Sequence, residues 1–269
     1  MIISIQSSVL YGHVGNQAAL PIYHACGHNT AHLDTVRLAA HPGFGTSAKA
    51  CLSADDLQNI LADYVTLKER PAILALHIGY IGHADQIAPL AAFITTLCQT
   101  QKDANMPTPL IIIDPVFGDG NHSYVSDEII RQTITHLLPL ADVITPNQFE
   151  LSVLSGDTAE TCEAAIAALQ ALPNVTARYR CLTGFIDKEN KLYDSLWQDG
   201  ESYHHPQDIH HGVSGAGDAF AALWVSHFLK GHDAISSLQI ASDITHHMIA
   251  KSKSPLTLNL ASGLLKISQ

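Results

Sequence analysis

The run Leu110-Ile111-Ile112-Ile113 is aliphatic at every position. A strand with one wet face alternates apolar and polar residues, so a strand with no polar face must be covered on both sides. That requires a sheet held between two further layers, and the rest of the chain has the pieces to build them. Ile2-Ile3-Ser4-Ile5 reads as a strand, Asn16 to Cys26 as a helix closed by Gly27, and Thr30 to Val36 as a second strand. Ser53 caps a segment in which Leu57, Ile60, Leu61, Tyr64 and Val65 keep helical spacing until Pro71 stops it. Ala72 to Ile78 is a buried strand and Ala84 to Thr100 a helix; a helix from Ser126 to Leu138 and a strand from Asp142 to Thr145 follow. Strands alternating with amphipathic helices in this way define an α/β fold with a mostly parallel central sheet flanked by helices.

The C-terminal half adds two capping boxes. Asn147-x-x-Glu150 opens one short helix, and Asp157-x-x-Glu160 opens another running through Ala171. Arg180 to Thr183 is a strand, while Lys191–Trp197 and Glu201–His204 form a hairpin about Asp199-Gly200. A mostly apolar helix begins at Ala219 and ends at Gly231, and a last one runs from about Asp233 to Ala250. No repeat, low-complexity tract or linker interrupts the series, so residues 1–269 read as one domain.

Charge narrows the function. A net charge of -11 disfavours nucleic acid or an anionic membrane as partner, because either attracts a basic surface. No Lys or Arg precedes Arg37, so the N-terminus lacks the basic flank of a signal peptide, and no apolar run reaches membrane-spanning length. Five scattered cysteines without a C-x-x-C pair point to free thiols in a reducing cytoplasm. The 17 histidines include the adjacent pairs His204-His205, His210-His211 and His246-His247, whose neighbours point apart and so make poor metal chelates.

Chemistry concentrates at Gly215-Ala216-Gly217-Asp218, a glycine-rich turn opening the helix that follows. Such a turn presents backbone N–H groups toward one point, and the helix dipole adds attraction for an anion. Asp218 would repel a merely bound phosphate but could accept a proton from an attacking hydroxyl. A tight turn with a capping Asp fits those four residues equally well. Ligands of an open parallel sheet gather beyond the carboxyl ends of its strands, where this chain is polar. Ser7 to Asn16 follows the first strand, Gly79-Tyr80 the strand ending at Ile78, Asp114 to Gly120 the aliphatic strand, and Thr145 to Glu150 the next. Asp114 and Glu150 converge on one sheet edge, as carboxylates serving Mg²⁺ do.

Taken together, these segments resemble the ribokinase superfamily and, within it, the pyridoxal kinase family. Gly215-Ala216-Gly217-Asp218 carries the broader likeness. The narrower one lies in Gln6-Ser7-x-Val9-x-Tyr11-Gly12-x-Val14-Gly15-Asn16, Asp114-Pro115-Val116-x-Gly118-Asp119 and Ile144-Thr145-Pro146-Asn147-x-Phe149-Glu150-Leu151. The resemblance spans nearly the whole chain. It implies a ribokinase-like three-layer sandwich and ATP-dependent phosphorylation of the 5′-hydroxymethyl of pyridoxal, pyridoxine or pyridoxamine. Asp218 would be the base, and the amides of Gly215, Ala216 and Gly217 the hole for the transferring phosphoryl. Ser7, Val14, Thr35 and Tyr80 would line the vitamer pocket. Asp114, Thr145, Asn147, Glu150 and Thr183 would surround ATP, with Asp114, Tyr124 and Glu150 on the Mg²⁺ side and room for a monovalent cation. The family also implies a homodimer.

Four departures stand against this pattern. Ala39-Ala40 replaces the usual Ser-Asn, Gly43 a frequent His or Gln, and Ile78 a small hydroxyl residue, while the segment from Gly120 to Tyr124 is shorter than in some relatives. None touches the phosphoryl-transfer turn. They leave open a kinase for a hydroxymethylpyrimidine or a sugar, and a vitamer-binding protein without useful turnover.

Overall fold

In the computed structural model, which describes residues 1–120 and 122–267, the aliphatic run lies near the middle of a nine-stranded sheet. The chain opens with β1 (Ile2–Tyr11), α1 (Asn16–Ala25), β2 (Thr30–Ala40), β3 (Lys49–Cys51), α2 (Ala54–Thr66), β4 (Ala75–Ile78) and α3 (Ile87–Asp103). It continues through β5 (Leu110–Ile113), the small hairpin β6 (Gly118–Asp119) and β7 (His122–Ser123), α4 (Asp127–Gln132), β8 (Val143–Ile144), α5 (Gln148–Ser155) and α6 (Cys162–Gln170). The last elements are β9 (Tyr179–Ile186), β10 (Leu192–Gln198), β11 (Glu201–Gln207), α7 (Ala216–Leu229), α8 (Ala234–Lys251) and α9 (Leu260–Ile267).

The sheet order is β11-β10-β9-β8-β5-β4-β1-β2-β3. Pairs from β2 across to β9 are parallel, and antiparallel strands close both edges. Side-chain alternation divides the core in two. Ile111 and Ile113 join Ile3, Ile5, Leu76 and Ile78 under α2, α3, α4, α5 and α6. Ile112 joins Ile2 and Ala75 under α1, α7, α8 and α9. Both faces of β5 are dry, as its composition demands. The chain order reverses between β1 and β4, the kind of switch point beyond which an open sheet forms a crevice.

Several boundaries move. β1 runs on to Tyr11, so Gln6 to Tyr11 is strand rather than loop, and β2 runs on to Ala40. Their register shifts between Gln6 and Ser8, a bulge that sets Ser7 opposite Thr35 and Val36. Asp157 caps no helix: α6 starts at Cys162, and Thr161 accepts the Ala164 amide at 3.2 Å. The expected helix from Ser126 to Leu138 is α4 followed by a π-turn at Thr133–Leu137 and a 3₁₀ turn at Leu138–Leu140. α7 begins at Ala216 rather than Ala219, and α9 had no counterpart in the sequence reading. The Asp199-Gly200 hairpin forms with both residues at positive φ, 52° and 92°.

Candidate active site

The glycine-rich turn becomes the first turn of α7. Gly215 is its left-handed N-cap at φ 94°, and a Cβ there would overlap the His13 carbonyl oxygen. The loop after β1 therefore packs directly on the turn, and only glycine permits that approach. The Ala216 amide is already used, donating to Val213 O at 3.1 Å, which corrects its assignment as a free phosphate donor. Gly217 and Asp218 occupy the next positions, where helical geometry leaves amides without an intrahelical carbonyl. Asp218 is half-buried. Burial raises its pKa to about 6, partly opposed by the Gly15 amide and its own amide, which favour the charged carboxylate.

Asp114 directly follows β5, with only 6% of its surface exposed. Its Oδ2 is 4.0 Å from where a Gly217 Cβ would stand, so the aliphatic strand delivers a carboxylate to the α7 turn. Burial, then Glu150 and Asp218, push its pKa well up, while the Thr145 hydroxyl pulls it down. Glu150 is buried in a reciprocal capping box with Asn147. Its Oε1 accepts the Phe117 amide at 2.8 Å and its Oε2 the Asn147 amide at 2.9 Å. Burial nevertheless lifts its pKa to about 7. Asn147 is similarly committed, accepting from the Glu150 amide at 2.9 Å and donating to Gly118 O at 2.8 Å. Thr183 pairs with Asn147 across an isolated parallel bridge, with its amide on Pro146 O at 3.0 Å. Tyr124 is 42% exposed, and burial of its ring with Asp119, Glu150 and Asp218 nearby raises its pKa to about 12.

The acceptor side forms at the β1/β4 switch. Ser7 is buried at the bulge, Val14 lies close to Gly215, and Tyr80 is half-buried after β4. Thr35 is fully buried and donates its hydroxyl to Tyr80 O at 2.7 Å, so it fixes the Tyr80 backbone instead of meeting a ligand. The departures have structural reasons. Ile78 points into the helix layer and away from the crevice. His41 packs edge-on against Tyr124 with ring centres 6.1 Å apart, and a Cβ on Gly43 would strike Leu256. The altered loop is thus folded against the site. Asn121, within the shortened segment, lies outside the described residues.

Two contributors carry no signal in the sequence: the Gly15 amide beside Asp218 and the His13 carbonyl against Gly215. The Gly12-x-x-Gly15 spacing was visible, but nothing in it says which distant turn the loop meets. Among the described residues no His, Cys, Asp and Glu cluster could hold a metal unaided. His204 and His205 turn apart, to Cys162 and Asp243. The site does fit Mg²⁺ in another way. Asp114 feels the charges of both Glu150 and Asp218, and no Lys or Arg is among the groups stabilising the three carboxylates. Mg²⁺ commonly binds one or two carboxylates and completes its shell with phosphate and water. Among the described residues no backbone amide donates to Asp114, whereas Glu150 has both oxygens on amides, so of the two Asp114 would be the one able to hold the ion.

Fold and site define a phosphotransferase on the ribokinase-like fold. Residues 56–262 match the Phosphomethylpyrimidine kinase family. The pyridoxal kinase PdxY of Corynebacterium diphtheriae is 32% identical over 247 residues, 88% of this chain and 84% of that protein. The PdxY of Rubrobacter xylanophilus is 31% identical, covering 93% and 87%. Pyridoxal kinase from Leishmania donovani, solved with ADP and pyridoxine, superposes with a TM-score of 0.89 at 25% identity, covering 100% of this chain and 95% of that one. The chain belongs to the pyridoxal kinases of this family.

Proposed function

We propose that this protein transfers the γ-phosphoryl group of ATP to the 5′-hydroxymethyl of pyridoxal, and also of pyridoxine and pyridoxamine, yielding pyridoxal 5′-phosphate and its analogues in vitamin B6 salvage. The observation that carries this reading is the meeting of Asp218 with the N-terminal loop, through Gly15 and His13, at the first turn of α7. On this reading Asp218 is a base between an acceptor pocket and a phosphate cradle. Asp218 takes the hydroxyl proton as the oxygen attacks the γ-phosphorus, the bond from that phosphorus to the bridging oxygen breaks to release ADP, and the Gly217 region at the helix N-terminus receives the charge on the transferring group. Ser7 offers a hydroxyl to the pyridine ring, with Val14 and Tyr80 as its apolar walls. Thr145, Asn147 and Thr183 border the nucleotide. Mg²⁺, held through Asp114 with Glu150 adding charge, would neutralise the phosphate oxygens.

The protein acts as one kinase domain and, on the same reading, as a cytoplasmic homodimer. Among the described residues no helix is long and apolar enough to cross a membrane. A turnover panel of ATP, Mg²⁺ and the three vitamers, with a hydroxymethylpyrimidine and a sugar as rivals, tests the assignment. ATP-dependent formation of pyridoxal 5′-phosphate is expected. Turnover confined to the pyrimidine would transfer the assignment to the chemistry that names the matched family, and tight vitamer binding without product would make this a binding protein.

A further inference from the structure

Beneath the acceptor pocket, one carboxylate sets the direction of a buried hydrogen-bond chain. Asp34 pairs through Oδ2 with Arg37 Nε at 2.9 Å, and its Oδ1 accepts from Asn16 Nδ2 across 2.8 Å. Asn16 must then turn its own Oδ1 inward, where it takes the Ser4 hydroxyl proton at 2.7 Å. Ser4 Oγ, its proton committed, accepts from Gln6 Nε2 at 2.7 Å. The other hydrogen of that amide faces His77 Nδ1 at 3.5 Å, which also receives the Tyr23 hydroxyl at 2.9 Å. The Gln6 amide can only donate, which assigns the ring proton to Nε2, an atom buried without a hydrogen-bond partner among the described residues. Ser4, Gln6, Asn16, Tyr23 and His77 are all at most 1% exposed, and burial lowers the His77 pKa to about 4, which keeps the ring neutral.

The polarity of the chain decides which end of the Gln6 carboxamide faces Gly79. It is Oε1, and a Cβ on Gly79 would overlap it. The chain and the glycine it presses on adjoin the site at three points. Ser7 follows Gln6, Tyr80 follows Gly79, and Gly15 precedes Asn16. We propose that Gln6 and His77 are positioning residues for the acceptor pocket: anchored on Asp34, they hold the Gln6 carboxamide against Gly79 and thereby set the spacing between Ser7 and Tyr80. This rests on reading Ser7 and Tyr80 as acceptor contacts. A buried chain that runs in one direction from Asp34 to His77 is stiff, although His77 Nε2 and Gln6 Oε1 have no hydrogen-bond partner among the described residues, and an acceptor displaced by an ångström loses much of its productive geometry.

The test is steady-state kinetics of the full-length protein with pyridoxal and ATP varied separately. Gln6→Leu and His77→Leu should raise the pyridoxal KM about tenfold or more while the ATP KM stays within about twofold. His77→Asn, which keeps an acceptor near the place of Nδ1, should bring the pyridoxal KM back to within about threefold of the parent. Should the leucine variants not fold by circular dichroism, Asp34→Asn carries the same expectation from the outer end, because its amide no longer dictates the direction of the chain. Ser7→Ala and Tyr80→Ala run alongside as markers. If the markers raise the pyridoxal KM and the chain variants do not, or if the chain variants move both KM values together, the positioning role is wrong. If the markers also leave the pyridoxal KM unchanged, the acceptor reading falls and takes this inference with it.

Discussion

Asp218 is under two opposed demands. As a base it must be ionised, yet burial favours its neutral form and lifts its pKa to about 6. kcat/KM should therefore fall as pH drops through about 6, with the ionised enzyme above that value the active form; an acid limb near the ordinary carboxylate range would contradict the burial effect. Asp218→Asn should lower kcat by roughly 10²–10⁴-fold with little change in ATP affinity, measured by turnover and nucleotide titration. Stability should move the other way. A carboxyl whose folded pKa lies above its unfolded value binds more protons when folded, so stability is lost as pH rises from about 4 through about 6. Removing the charge should raise Tm at pH 7.5 by roughly 2–4 °C. A variant that lost activity and stability together would point to a structural role for the side chain.

At the scale of elements, close approaches hold the site together. Gly215 joins α7 to the loop between β1 and α1, and both its φ of 94° and the His13 carbonyl exclude a side chain. Gly215→Ala should cost about 1–3 kcal/mol in urea unfolding and, by separating loop from turn, reduce turnover more than stability alone explains. β9 depends on Arg180, only 6% exposed, whose guanidinium donates to the carbonyls of Leu169, Gln170, Val175 and Ala177 and lies 4.6 Å from the centre of the Trp197 ring. It closes the C-terminus of α6 and the turn that leads into β9. A lysine cannot reach four carbonyls in one plane, so Arg180→Lys should destabilise by about 2–4 kcal/mol. Because Thr183 lies on the same strand, the surviving folded enzyme should show a raised ATP KM. Sequence pattern foresaw the capping box of α5, where Asn147 and Glu150 are three residues apart. It misplaced the start of α6, because Asp157 and Thr161 offer equal capping chemistry and only packing of Cys162, Ala165 and Ile166 selects the later one.

For the whole molecule, a chelator should abolish turnover and added Mg²⁺ restore it, with Asp114→Asn demanding more Mg²⁺ for half-maximal rate; an unchanged Mg²⁺ dependence would remove Asp114 from the metal. Sedimentation should give twice the 28.9 kDa mass of the chain if the homodimer forms. What the sequence by itself determined was local or periodic. The aliphatic β5 demanded two covering layers, alternation demanded a parallel sheet, and a glycine turn before an apolar helix marked a candidate anion site. Tertiary structure alone decided which of the polar groups remained available. It spent the Ala216 amide on Val213, the Thr35 hydroxyl on Tyr80 and both Glu150 oxygens on amides, and it left Asp114 open beside Gly217. Hydrogen-bond partners far apart in the chain compete for the same donors and acceptors, and that competition is settled only when the strands bring them together.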